Sequence, residues 1–120
     1  MYSNLYNYYN ICDYDFSTEH DYAIIVKTIL ENNGLKQKAQ NLFENQNDFP
    51  WIDIGITYTR DGNYTIDNTK VDKINLITIV VLKKIDQLIY TNVLLGIAKK
   101  LSWKLFLEED DDGNENIEIE

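Results

Sequence analysis

Few residues of this 120-residue chain are of a type that carries chemistry, and they gather near the two ends. Cys12 and His20 are the single cysteine and the single histidine. Brought together by folding, they would form a thiolate–imidazole pair in which the ring removes the thiol proton and leaves a nucleophile. No flanking motif accompanies them, so Cys12 is expected as a small, partly buried residue and His20 as an exposed residue of a helix's first turn. Asp13, Asp15 and Asp21 lie close to His20 and offer a carboxylate–histidine metal site. One histidine and one cysteine exclude zinc sites of the usual four-ligand Cys/His kind. The glycines, Gly34, Gly55, Gly62, Gly96 and Gly113, stand singly, so there is no glycine-rich phosphate loop. The expectation is no catalytic residue, no cofactor and no bound metal.

The C-terminal strip is different in kind. Residues 108–120, Glu-Glu-Asp-Asp-Asp-Gly-Asn-Glu-Asn-Ile-Glu-Ile-Glu, hold eight acids and no base, while the rest of the chain holds twelve acids against eleven bases. The net charge of −9 therefore belongs almost wholly to one end of a nearly neutral domain. Asp-Asp-Asp-Gly suggests a calcium loop. Aligning Gly113 with that loop's glycine places Glu108, Asp110 and Asp112 at positions one, three and five, but puts Ile119 where a bidentate Glu is required. The calcium-hand spacing fails.

Two structural readings of the strip remain beside a functional one. Glu109–Asn114 reads as a solvated hairpin turn before a last strand, with Ile117 and Ile119 inward and Glu118 and Glu120 outward. Lys83, Lys84, Lys99, Lys100 and Lys104 would partly neutralise it, each surface pair contributing under about 1 kcal/mol. The functional reading is an electrostatic lure. Glu108, Glu109, Asp110, Asp111, Asp112 and Glu115 would steer a basic partner into encounter, raising association rate more than final affinity. A nuclease cleft built to hold phosphates is such a surface.

Length and composition bound the class of protein. The chain fits one globular domain, residues 1–120, and its 44% apolar content, with sixteen isoleucines and nine tyrosines, argues against disorder. Lone Cys12, the lack of a basic and apolar leader, and apolar runs far short of ~20 residues lead to the expectation of a cytoplasmic protein without a membrane partner. An acidic chain is a poor binder of phosphate backbones, so no nucleic-acid partner is expected.

Periodicity places the elements. Tyrosines among asparagines favour a strand over about 8–14, beneath helices or forming an aromatic contact surface. Ser17 or Thr18 caps a helix in which Tyr22, Ile25, Val26, Ile29 and Leu30 form one apolar face, with Glu19 and Asp21 in its first turn and Gly34 as its stop. A further helical turn or two would bury Leu35, Ala39, Leu42 and Phe43, ending before Pro50.

From Trp51 the period is two, with Ile52, Ile54, Ile56 and Tyr58 on one face. Asp61-Gly62 predicts a tight turn into a short strand at 63–67. Residues 74–82 lack alternation and read as a central strand buried on both faces. A helix follows over about 86–101, with Tyr90, Leu94, Ile97, Ala98 and Leu101 inward, Lys99 and Lys100 at its negative end, and Gly96 allowing close approach to the sheet. Residues 103–107 restart a strand parallel to 74–82 by a right-handed crossover. Trp51 and Trp103 read as core aromatics. Together these describe an α+β domain, a mixed sheet carrying two to three helices, in an order akin to the ferredoxin-like βαββαβ.

The final helix and strand, Leu-Leu-Gly-Ile-Ala-Lys-Lys-Leu-Ser-Trp-Lys-Leu-Phe over 94–106, followed by the acidic end, resemble the small acidic immunity proteins of bacterial polymorphic and contact-dependent toxin systems. The likeness covers the last quarter of the chain, together with size and charge. It implies a non-enzymatic toxin inhibitor that forms a one-to-one complex with a cognate toxin domain in the cytoplasm. The competing reading from the residues is a self-associating structural or adaptor domain with a tyrosine-rich homodimer face. A third is a small enzyme or metal-binding protein around Cys12, His20 and the nearby aspartates.

Overall fold

A computed structural model describes residues 5–14, 16–46, 49–59 and 72–120. In chain order the elements are β1 (Tyr6–Cys12), β2 (His20–Asp21), α1 (Tyr22–Asn33), β3 (Leu35–Ala39), β4 (Leu42–Asn45), β5 (Ile52–Thr57), β6 (Lys73–Ile74), β7 (Leu76–Leu82), α2 (Gln87–Leu101), β8 (Lys104–Glu109) and β9 (Glu115–Ile119). The turn expected at Asp61-Gly62 and the strand expected at 63–67 lie outside the described residues.

Seven strands form one sheet in the order β3-β4-β5-β7-β1-β8-β9, and β2 with β6 forms a small second one. Every neighbouring pair is antiparallel, so the fold is α+β but the sheet is not mixed. The source of the difference is β1. β7 and β8 run in the same direction on either side of α2, as a crossover requires, but β1 lies between them and runs against both. The element order also departs from βαββαβ, with two helices among the described residues.

Strand alternation sorts the sheet into two faces. Tyr9 and Ile11 of β1, Ile52, Ile54 and Ile56 of β5, Ile77, Ile79 and Val81 of β7, and Leu105 of β8 are buried on one face. They join Ile25 and Ile29 of α1 and Tyr90, Leu94 and Ile97 of α2 in one core. Burying each such side chain contributes ~1.5–3 kcal/mol of transfer free energy. Both helices thus cover the same face, and among the described residues no helix lies on the other.

Several local expectations change for physical reasons. α1 begins at Tyr22, because His20–Asp21 pairs with Lys73–Ile74 as a strand. The Ser17 and Thr18 hydroxyls donate instead to Asp13 Oδ2, at 3.0 and 3.3 Å, and Asp21 makes no side-chain cap bond. Gly34, at φ +65°, ends α1 in the left-handed conformation as its position predicts. The second helix over 35–43 does not form. Its residues make the β3–β4 hairpin, in which Phe43 pairs with Ile54 and is fully buried. Tertiary pairing with β5 here overrides the helical propensity of Lys, Gln and Ala.

β5 stops at Thr57, leaving Tyr58 exposed, and Trp51 is 41% exposed whereas Trp103 is buried. β7 is central, but only its helix-covered side is fully buried, because Thr78, Val80 and Leu82 are half-buried on the other. α2 starts after Asp86, whose side chain accepts from Leu88 N at 3.1 Å. Gly96 faces solvent with nothing within 4 Å of where a Cβ would stand, so it mediates no close approach to the sheet.

Candidate partner-binding surface

The acidic end folds as the β8–β9 hairpin, with Ile117 opposite Leu107 and Ile119 opposite Leu105. Ile119 packs against the core, which anchors the last strand. Asp110 builds the turn. Its Oδ1 accepts from the main-chain N–H groups of Asp112 and Asn114, each at 2.9 Å, and its Oδ2 from Asn114 Nδ2 at 3.0 Å. These donors, the Asn114 side chain foremost, hold the Asp110 carboxyl below its usual range. A side chain with these local bonds is committed to shaping the turn.

The other expected contact residues separate by position. Asp111 pairs with Lys83, and Asp112 and Glu115 are exposed at the tip. Glu109 stands directly opposite Glu115 across the strands. Like charges so placed repel, a cost that a bound cation would relieve. Glu108 turns to the helix-free face, where its Oε1 accepts from Asn10 Nδ2 at 3.0 Å. The six residues therefore do not form one patch, since four surround the tip and turn while Glu108 belongs to the sheet face and Asp110 to the backbone.

That helix-free face has its own relief. Asn10 and Glu108 border a depression of about 330 Å³ whose far side includes Leu42, Asp53 and Gly55. Lys38 pairs with Asp53 there. Toward the β9 edge lies a second hollow of about 410 Å³, lined by Asn10, Cys12, Tyr14, Phe16, Phe106, Asn116 and Glu118. Sequence reasoning did not single out Asn10, Tyr14, Phe106 or Glu118 as site residues. The available signal was Phe106, an aromatic at an outward position of an alternating strand.

The N-terminal chemistry disperses. Cys12 is buried, and burial first, then the charge of Asp13, pushes its thiol up to about 11. Such a thiol stays protonated at neutral pH and is a poor nucleophile. His20 is half-buried rather than exposed; its Nε2 donates to Leu101 O at 2.6 Å and its ring meets Trp103 edge-on at 4.9 Å. The Asp13 carboxylate accepts from Tyr14 N and the Ser17 and Thr18 hydroxyls, Asp21 pairs with Lys73, and Asp15 lies outside the described residues. Among the described residues no group of three or more His, Cys, Asp or Glu side chains is arranged to hold a metal ion. No helix among them is long and apolar enough to cross a membrane.

The tyrosines divide as well. Tyr9 Oη donates to Gln87 Oε1 at 3.0 Å beneath α2, and burial pushes its pKa up to about 12. Tyr6 and Tyr8 stand on the helix-free face, Tyr6 with its ring 5.6 Å from that of Trp51. No protein-family model matches the chain, and comparison with curated proteins finds no similar sequence.

Proposed function

We propose that the protein is a non-enzymatic binding protein of the immunity type, which neutralises a bacterial toxin domain by one-to-one docking through an acidic surface. A nuclease, whose substrate cleft is basic, is the toxin class this chemistry suits best. The observation that carries the reading is the hairpin. Asp112 and Glu115 project from a turn that Asp110 fixes internally, and Glu108 and Glu118 add carboxylates on the sheet face that neither described helix covers. Charges held on a rigid support steer a partner and need little ordering when it arrives.

Because immunity proteins are encoded beside their toxins, the test is co-expression with the product of the adjacent gene. The expected result is a salt-sensitive one-to-one complex and restored growth of cells producing the toxin. Failure of the adjacent product to bind or to harm cells would overturn the reading.

Self-association is the second reading, favoured by Tyr6, Tyr8 and Trp51 sharing the uncovered face. It predicts a dimer by light scattering that persists in salt and is lost in Tyr8→Ala. Tyr9 is unsuited to that test because it is buried under α2.

A further inference from the structure

We infer that the hollow between β1 and β9 is a receptor for an arginine side chain of the basic partner; this deepens the reading above and rests on it. Its walls are aromatic. The Tyr14 and Phe106 rings meet edge to face, with centroids 5.7 Å apart and planes at 69°, and Phe16 also lines the hollow.

Its one charged group is an acceptor, set among the neutral side chains of Asn10, Cys12 and Asn116. Glu118 offers a carboxylate, one oxygen of which receives the Tyr14 hydroxyl proton. Asn10 uses its Nδ2 on Glu108, which leaves Oδ1 shielded from solvent and without a donor. No described lining residue is basic. The hollow, at about 410 Å³, therefore asks for an occupant that brings several donors, positive charge and a flat apolar surface.

A guanidinium meets all three demands. It is planar, stacks on aromatic faces, is weakly hydrated, and presents five N–H donors in a fixed fork. One such fork can engage the Glu118 carboxylate while its plane lies against the Phe106 or Tyr14 ring. An ammonium is a compact, strongly hydrated point charge and stacks less well. Charge-assisted bonds to a carboxylate in a partly shielded hollow are the strong ones. The site would serve as an anchor within a larger acidic interface, a role for which buried arginines are favoured.

The test is an NMR titration of the whole chain with N-acetyl-arginine amide, its uncharged citrulline counterpart and its lysine counterpart. The expected result is shifts at the Asn10 side-chain amide, Phe106 and Asn116 with arginine, weaker ones with lysine and none with citrulline. Glu118→Gln should weaken arginine binding about tenfold. Tyr14→Phe, at an exposed position, keeps the ring but frees the carboxylate, and should retain or strengthen binding. Equal responses to all three probes, or arginine shifts confined to Asp112 and Glu115, would overturn the receptor. A salt-sensitive complex with the toxin domain alongside a silent hollow would sink the receptor and leave the proposed function standing. Arginine-specific shifts without any toxin partner would do the reverse.

Discussion

Asn10 Nδ2 donates to Glu108 Oε1 at 3.0 Å, which ties the middle of the first strand to the first carboxylate of the acidic end. The bond lies on the uncovered sheet face, where both residues are half-buried. Glu108→Ala leaves both polar atoms of Asn10 without a partner and should lower stability by about 1–3 kcal/mol. Glu108→Gln keeps an acceptor of the same shape and should cost less than half of that. Urea unfolding checks this, and equal losses in the two variants would count against the bond.

Cys12 and Tyr9 make stability fall in alkali. Burial raises the thiol from 9.0 to about 11 and the phenol from 10.0 to about 12. Through that window the folded chain holds protons that the unfolded chain has released, so unfolding becomes easier as pH rises. Urea midpoints should drop as pH rises from about 9 toward about 12, and Cys12→Ala should flatten the early part of the fall. A flat or rising profile in the parent protein would contradict the assignment.

Asp110 works in the opposite sense. Its carboxyl is depressed by Asn114 and the turn amides, so the stability it lends is present above 3.8 and is lost as pH falls through its folded value. A carbon-13 titration should place its midpoint below 3.8, and Asn114→Ala should move it upward. A midpoint that ignores Asn114 would refute the turn's role.

α2 can be improved at two places. Gly96→Ala should add up to about 1 kcal/mol, because the position is exposed and helical with open space for a methyl group. Ser102 sits at φ +58° just after the helix, where Gly carries no Cβ penalty. Ser102→Gly should therefore also stabilise. Thermal unfolding midpoints should rise by a few degrees in each, and a fall at Gly96 would mean the methyl group meets something.

Association kinetics separate steering from shape. If the proposed function holds, Asp112→Asn combined with Glu115→Gln removes exposed charge and should slow association with the proposed toxin partner several-fold at low salt. Added salt should bring the unaltered protein toward the same rate, with dissociation changing less. Asp110 is left out of this pair because removing it would disturb the hairpin itself.

Where the residue period alone was unambiguous, the chain was legible. The inward faces of α1 and α2, the isoleucine alternation of β5 and the β8–β9 hairpin all follow from residue spacing. Leu35, Ala39, Leu42 and Phe43 misled because their spacing suits a helix as well as a hairpin, and only pairing with β5 decides between them. The place of β1 was illegible for a different reason. Its partners, such as Leu82 for Tyr6 and Leu107 for Tyr9, lie far along the chain, and local pattern carries no trace of them. The hollow escaped notice because Asn10, Phe106 and Glu118 come from three strands that only this register brings together.

The interior place of β1 also sets a timetable. During synthesis its seven residues emerge long before either neighbour, and both of its edges stay unpaired until β7 and then β8 have been made. A nascent chain can assemble β3, β4 and β5 locally, but it cannot close the sheet until the ribosome has passed residue 109. Closure so dependent on distant pairing is slow. The last of these strands to join carries Glu115 and Glu118, so the acidic edge is completed only when the sheet itself is.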